Sequence, residues 1–194
     1  MRGNAMPWNA VVDRLTRLAL APGAATNIAM FARGLLAPAP YPEPILDVGC
    51  GATSPLVGAG LRTVGVDIAL SRARDHRPTA VVADAAALPF ADGSFPAVFS
   101  LGLLHELADE AARRAIGEMM RVGRYDGRVV VFDGVQPEPG TRPLASLIGK
   151  WGRPMRTERD LRKLFDGRPT WHFQRVTYAA TGLEGVWCVS RGET

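Results

Sequence analysis

The stretch Ile45-Leu46-Asp47-Val48-Gly49-Cys50-Gly51 decides the fold that this sequence predicts. It is a short apolar run, preceded by Pro44, that leads through an acid into a glycine turn, a pattern typical of a buried parallel strand. Gly49 and Gly51 carry no side chain, so backbone N–H groups of the turn can come close to a ligand. A helix is predicted to begin near residues 53–55. Strand, glycine turn and helix in this order are typical of a nucleotide-type binding fold.

Strands and helices alternate along the residues that follow. Four further strands are predicted at residues 63–67, 79–83, 95–101 and 128–132, with helices at 56–61, 70–74 and 107–122 and turns at Asp92-Gly93 and Asp126-Gly127. In the last helix one face is apolar (Ala108, Ala112, Ala115, Met119 and Val122), and Arg113, Arg114 and Arg121 are predicted to point outward. This alternation implies right-handed βαβ units and a parallel sheet.

The C-terminal third predicts a capped helix and a hairpin. Thr157 with Asp160 is typical of an N-cap with an acidic partner at the third helical position. Strands are predicted near residues 171–178 and 185–190, and the Gly182-Leu183-Glu184-Gly185 turn between them predicts an antiparallel pair at one edge of the sheet.

Three acids stand at the ends of three successive predicted strands: Asp47, Asp67 and Asp84. Ligands of open parallel sheets bind at the carboxyl ends of the strands. There Asp67 can accept both hydroxyls of a ribose, and Asp84 can accept from an adenine amino group. Asp47 can orient the glycine turn or hold a ligand ammonium through water. Each acid alone is typical of a turn or cap, but the set of three favours adenosine binding.

These pieces resemble the class I S-adenosylmethionine-dependent methyltransferases. The resemblance extends over residues 45–133, and its most specific part is Leu88-Pro89-Phe90-Ala91-Asp92-Gly93-Ser94-Phe95, which follows Asp84-Ala85. It is similar to the branch that methylates small molecules, including quinone-biosynthesis C-methyltransferases. The further matching pieces are Val98-Phe99-Ser100, Leu103-Leu104-His105, Met120-Arg121-Val122, Gly127 and Val129-Val130-Val131.

The resemblance implies an α/β, Rossmann-like sheet of seven strands, mostly parallel with one antiparallel edge strand and with helices on both faces. It implies S-adenosylmethionine as cofactor, with ribose at Asp67 and adenine at Asp84 and the backbone of Ala85. The remaining cofactor-binding residues that we expect are Asp47, Gly49, Cys50, Gly51, Ile68, Ser100 and Leu101. The chain departs from the family pattern at Thr53, at Pro96 and at Arg124-Tyr125-Asp126-Gly127, which affects local turns and none of the acids.

Methyl transfer needs a base only when the acceptor must lose a proton. His105 is the candidate catalytic base, because it follows the fourth strand on the ligand side and histidine titrates near neutral pH. The alternative is that His105 packs against or caps the next helix. Glu106 and Asp133 are weaker candidates. No Cys/His cluster or acid set predicts a metal site.

The length and composition of the whole chain indicate its domain organisation and its environment. Its 194 residues predict a single domain over 1–194, with N-terminal helices in 1–40, a cofactor-binding core at 45–133 and a substrate-side segment with the final strands at 134–194. The first helices either pack on the core or form a lid.

Two cysteines without a CxxC partner predict a reducing, cytoplasmic setting. No apolar run approaches the ~20 residues that cross a membrane, and no signal peptide is predicted. The sequence does not predict the oligomeric state.

The acceptor is the open question at this point. Residues 141–194 hold 10 Arg and Lys against 5 Asp and Glu, so a basic stretch at 142–168 could bind RNA phosphates or could be a solvated helix face. Residues 100–103 (Ser-Leu-Gly-Leu) lack the Pro-Pro-aromatic motif of amino-methylating nucleic-acid enzymes. We therefore expect a small-molecule acceptor. The alternatives are an RNA or protein methyltransferase, and a protein of this fold that binds the cofactor without methylating.

Overall fold

A computed structural model of the chain describes residues 30, 32–36, 41–51, 54–69, 80–136, 155–166, 171–177 and 184–190. Most of the N-terminal helices predicted in 1–40, the helix predicted at 70–74, and Thr53 lie outside these residues. So do the turn at 182–183 and the basic residues Arg142, Lys150, Arg153 and Arg168.

Seven strands form one mixed sheet. They are β1 (Ile45–Val48), β2 (Thr63–Asp67), β3 (Ala80–Val82), β4 (Phe95–Leu101), β5 (Gly123–Val135), β6 (Trp171–Thr177) and β7 (Glu184–Ser190). Their order is β3-β2-β1-β4-β5-β7-β6. Strands β1 to β5 pair in parallel, and β7 is antiparallel to both β5 and β6. The predicted fold class and hairpin are confirmed, with β7 one strand in from the edge.

Helices cover both faces of the sheet. The described helices are α1 (Pro55–Gly58), α2 (Asp109–Val122) and α3 (Glu158–Lys163), with a 3₁₀ turn at Leu104–Glu106 and helical residues at 32–35. Alternate strand residues face opposite sides: Val129 and Val131 pack with the apolar faces of α2 and α3, whereas Val130 and Phe132 pack with residues 32–36 and α1.

The apolar face of α2 begins later than the sequence predicts. Its buried residues are Ala112, Ala115, Ile116, Met119 and Val122. Ala108 was expected on this face, but it is the extended N-cap residue (φ −64°, ψ 156°) and is exposed. Ile116 completes the face instead, because it follows Ala112 and precedes Met119 at helical spacing.

Residues 32–36 pack on the sheet. Ala32 and Leu36 are fully buried, and the Arg128 guanidinium donates to the Leu35 carbonyl at 2.8 Å. For this part of the N-terminal region packing is therefore observed. The choice between packing and a lid for residues 1–29 lies outside the described residues.

The Asp126-Gly127 turn predicted before the fifth strand is instead part of a bulge in β5. Between the pairs Phe95↔Gly123 and Ala97↔Arg128, β4 advances by two residues and β5 by five. Pro96 lies opposite this irregularity, and it has no N–H to continue the ladder. A Cβ at Gly127 would stand 2.6 Å from the Pro96 carbonyl oxygen, so only glycine fits this approach.

The predicted cap of α3 is confirmed. The Thr157 hydroxyl accepts from the Asp160 backbone N–H at 3.1 Å and donates to the Asp160 carboxylate at 2.7 Å. In the described part of the chain, no helix is both long and apolar enough to cross a membrane.

Candidate cofactor-binding site

The glycine turn after β1 is fixed by the neighbouring strand. The N–H groups of Gly49 and Cys50 both donate to the Val66 carbonyl, at 2.7 and 3.0 Å, and Gly49 and Gly51 have φ of +73° and +59°. A Cβ at Gly49 would stand 3.0 Å from the Leu103 side chain, whereas one at Gly51 would meet no described atom within 4 Å. Gly49 is thus required for packing, and Gly51 borders open space.

Asp67 joins the glycine turn to the end of β2. One carboxylate oxygen accepts from the Gly51 N–H at 3.0 Å, and the other accepts from the Ala69 N–H at 2.8 Å. The carboxylate is thus held in a fixed orientation, while each oxygen retains capacity for a further hydrogen bond. Ile68 follows it with 72% of its surface exposed. The oriented carboxylate of Asp67 suits the hydroxyls of a ribose, and the exposed aliphatic side chain of Ile68 suits an apolar ring.

Asp84 begins the loop after β3. Its side chain accepts from the Ala86 N–H at 2.8 Å, and its carbonyl accepts from the Ala87 N–H at 3.0 Å. This is an Asx-type turn, in which the Asp84 side chain is exposed and Ala85 is buried in the core. A turn is the local role that is typical of each acid taken alone, and the Asp84 carboxylate also stands at the strand end where adenine recognition is predicted.

The Leu88-to-Phe95 motif is held by two side chains of α2. Glu118 accepts from the Leu88 N–H at 2.8 Å, and Arg121 donates to the carbonyls of Leu88 and Phe90 and to Asp92, at 3.0, 2.8 and 2.7 Å. The prediction that Arg121 points into solvent is therefore wrong. Its side chain is directed onto the loop, because three acceptors of this loop converge on one planar guanidinium.

Asp47 is a buried carboxylic acid near the glycine turn. It is 2% exposed, and among the described residues its Oδ2 has no hydrogen-bond partner. Burial raises the pKa of Asp47 to about 7, while a hydrogen bond with Ser54 opposes the rise. A buried acceptor without a partner can accept from a cationic donor, so Asp47 is compatible with a ligand ammonium.

Ser100, Leu101 and Cys50 complete the predicted cofactor residues. Ser100 is fully buried, and its hydroxyl donates to the Val48 carbonyl at 2.9 Å, which ties β4 to β1. Leu101 is partly buried at the end of β4. Burial, with the nearby charges of Asp47 and Asp67, raises the pKa of Cys50 to about 12. Cys50 is therefore a thiol at neutral pH and unsuited to act as a nucleophile.

His105 is paired with Asp133 at the end of β5. The imidazole Nδ1 lies 2.7 Å from one Asp133 carboxylate oxygen, and the His105 backbone N–H donates to the other at 3.0 Å. Asp133 is 1% exposed, and the imidazole Nε2 lies 3.3 Å from the Glu106 carboxylate. The N-cap of α2 is Ala108, with no side-chain cap, so the interpretation that His105 caps this helix is wrong.

The pKa of His105 is set by opposing influences. Burial, the largest, lowers it, but the hydrogen bond and charge of Asp133, together with the charge of Glu106, raise it. The Arg156 charge acts against them, and the net result is a pKa above the ordinary value. An imidazole whose Nδ1 is held by a buried carboxylate presents a defined Nε2, as a general base requires.

The predicted site residues stand at one edge of the sheet. Asp47 lies in β1, and Gly49, Cys50 and Gly51 follow it; Asp67 ends β2, and Ile68 follows it; Asp84 and Ala85 follow β3; Ser100 and Leu101 end β4, and His105 follows it. The register Val48↔Val66 and Val48↔Ser100 brings the ends of β2, β1 and β4 side by side. Among the described residues, no three His, Cys, Asp or Glu side chains converge as a metal site.

The sequence argument missed two contributors to this edge. Arg156 donates to the Leu104 and Leu107 carbonyls on either side of His105. Leu103 fills the space at Gly49. Both contacts are long-range; Leu103 stands next to the predicted end of a strand, whereas nothing in the sequence near Arg156 indicates its partners.

The basic stretch is largely paired where it is described. Arg156 contacts Asp109 at 2.7 Å, Arg162 contacts Glu158 at 2.6 Å and Lys163 contacts Asp160 at 2.7 Å. The Arg162 guanidinium also lies 4.5 Å from the centre of the Phe173 ring. These cations serve intramolecular contacts.

Comparison with known proteins agrees with this geometry. The family described as "Methyltransferase domain" matches residues 46–131. The chain is 36% identical over 105 residues to the demethylmenaquinone methyltransferase of Renibacterium salmoninarum, covering 50% of this chain and 43% of that protein. It is 37% identical over 93 residues to the probable tRNA methyltransferase 9B of Homo sapiens, covering 45% and 20%. The chain thus spans less than half of the length of these relatives.

Solved structures share the fold. The geranyl diphosphate C-methyltransferase of Streptomyces coelicolor A3(2), solved with Mg²⁺, geranyl diphosphate and S-adenosyl-L-homocysteine, superposes with a TM-score of 0.67 at 18% identity, covering 87% of this chain and 80% of that one. The [4+2]-cyclase SpnF superposes with a TM-score of 0.71 at 17% identity, covering 88% and 82%. Residues 46–131 therefore carry a methyltransferase domain, and the sheet around them has the fold of solved S-adenosylmethionine-dependent methyltransferases.

Proposed function

We propose that this protein transfers a methyl group from S-adenosylmethionine to a small molecule. The observation that carries the proposal is the hydrogen bond of 3.0 Å between the Gly51 N–H and the Asp67 carboxylate. It joins the glycine turn to the acid of the next strand, so that the parts proposed for the methionine and ribose ends of one ligand form a single rigid edge. Asp84 and Ala85, one strand further, extend this edge toward the adenine.

When bound, the cofactor would supply a methyl group on a sulfonium: the acceptor would form the new bond to the methyl carbon in line, and the electron pair of the broken C–S bond would stay on sulfur. The chain's own residues position the acceptor and exclude water. Good orientation alone can contribute up to ~7–11 kcal/mol in ideal intramolecular cases. His105 takes the proton that the acceptor loses at Nε2, while Asp133 holds Nδ1. Only the neutral imidazole can do this, so the transfer rate rises with pH through the raised pKa of His105.

The test is release of S-adenosylhomocysteine from S-adenosylmethionine with separate acceptor panels. We expect turnover with small acceptors of the classes named for the relatives, a reduced quinone nucleus and a prenyl diphosphate, and none with bulk tRNA. His105→Asn should lower kcat at least tenfold with an unchanged dissociation constant for S-adenosylhomocysteine. An unchanged kcat in this variant rejects His105 as the base.

An RNA substrate is the second candidate, because several relatives carry tRNA methyltransferase names. Three of the four described cations of the basic stretch argue against it, since Arg156, Arg162 and Lys163 are each paired with a carboxylate, whereas Arg159 is exposed. RNA binding whose affinity falls steeply with salt would favour it. A fold that binds the cofactor without methylating is the third candidate, favoured by the likeness to a cyclase, and clear methyl turnover excludes it.

A further inference from the structure

The turn that carries His105 is held by polar contacts from two sides. On one side Asp133 accepts from the His105 N–H and contacts its ring. On the other side the Arg156 guanidinium donates from Nη1 to the Leu104 carbonyl and from Nη2 to the Leu107 carbonyl, both at 2.6 Å. The one guanidinium of Arg156 thus binds two carbonyls, that of the residue immediately before His105 and that of the residue two positions after it.

Arg156 is itself fixed by its surroundings. Its Nε and Nη2 donate to one Asp109 carboxylate oxygen at 2.9 and 2.7 Å, and its side chain is 14% exposed. Its backbone carbonyl accepts from the Gln136 N–H at 2.9 Å. Because Gln136 follows β5, which carries Asp133, the two groups that hold the turn are anchored to the same strand end.

These contacts are more than a surface ion pair. An exposed pair contributes roughly 0–1 kcal/mol, whereas Arg156 is mostly buried and donates to two backbone carbonyls, of which that of Leu104 also accepts from the Leu107 N–H. Since Leu104 and Leu107 flank His105, a shift of this guanidinium moves the imidazole relative to Asp133. Its charge also opposes protonation of the imidazole, which keeps more of His105 in the neutral form.

We propose that Arg156 is a positioning residue: it fixes the Leu104–Leu107 segment so that His105 stays aligned on Asp133. This inference rests on the base role proposed for His105. The 155–157 segment, which precedes α3, would then contribute to the reaction by orienting His105. It would not contact the substrate.

The experiment uses NMR on the full chain, with the His105 ring signal assigned by its loss in His105→Asn. In Arg156→Gln we expect the His105 titration midpoint to move upward and the His105 amide to exchange about tenfold faster or more, which corresponds to the loss of one charge-assisted hydrogen bond. In Arg156→Lys the charge stays but the fork is lost. In Arg156→Lys we expect the His105 titration midpoint to stay near that of the wild type, whereas the His105 amide should exchange as fast as in Arg156→Gln.

Two controls separate positioning from a general loss of stability. Amides of β4 should exchange as in the wild type, and Arg159→Gln, which changes an exposed arginine of the same segment, should alter neither readout. An unchanged His105 midpoint and amide exchange in Arg156→Gln overturns the positioning role. Unchanged kcat in His105→Asn, in contrast, rejects the base role itself, so the two failures are distinguishable.

Discussion

The buried acid Asp47 makes stability depend on pH in a direction opposite to that of most carboxylates. Its pKa is about 7 in the folded chain against an ordinary value of 3.8, so the folded state binds a proton more tightly than the unfolded state does. Asp47 therefore lowers stability progressively as pH rises from about 4 to 7, with no further change above that. Each pKa unit corresponds to 1.36 kcal/mol, which sets an upper limit of about 4 kcal/mol.

The perturbation that isolates this effect is Asp47→Asn, which keeps the shape and cannot ionise. Relative to the wild type, the free energy of unfolding of the variant should rise between pH 4.5 and 7 by at least about 1 kcal/mol, allowing for relaxation around the charge. Urea unfolding at a series of pH values measures it. Asp126→Asn, an exposed change of the same type, controls for the loss of one charge. A variant-to-wild-type difference that stays constant from pH 4.5 to 8 refutes the reasoning.

Three further changes test the packing around the site. Gly49→Ala should lower the free energy of unfolding by roughly 1–2 kcal/mol or more, because a φ of +73° is unfavourable for alanine and its Cβ would press on Leu103; equal urea midpoints would contradict this. Arg121→Met should speed hydrogen exchange selectively in residues 88–93, because Arg121 holds this loop. An equal change of exchange rate across the chain would contradict this role of Arg121. Thr157→Ala should cost about 1 kcal/mol of helix stability, seen as faster exchange confined to α3.

The strands nearest the site could be predicted because their signals are local. The β2 and β4 boundaries at Thr63–Asp67 and Phe95–Leu101 agree with the predicted ones, since each is an apolar run between turn residues. The acids Asp47 and Asp67 could be placed at one edge for the same reason: parallel strands put their carboxyl ends together. The hydrogen bond between Asp67 and Gly51 is the direct consequence of that placement.

The contacts that were missed are long-range. The β5 bulge depends on Gly127 meeting the Pro96 carbonyl across two strands, whereas the Asp126-Gly127 pair alone predicts an ordinary turn. Arg121 has the spacing of an exposed helix residue, and only the folded loop shows its acceptors. Arg156 reaches carbonyls about fifty residues earlier in the chain. Helical periodicity assigns a side chain to a face and does not give its partner.

The predicted roles of the site residues are tested most directly by cofactor binding. The carboxylate of Asp67 is proposed to accept the ribose hydroxyls, and charge-assisted hydrogen bonds contribute about 1.5–3 kcal/mol each. The measurement is the dissociation constant of S-adenosylhomocysteine, by isothermal titration calorimetry, for the wild type, Asp67→Ala and the exposed control Asp126→Ala. The account predicts binding that weakens at least tenfold in Asp67→Ala alone. Equal affinities in all three proteins would contradict it.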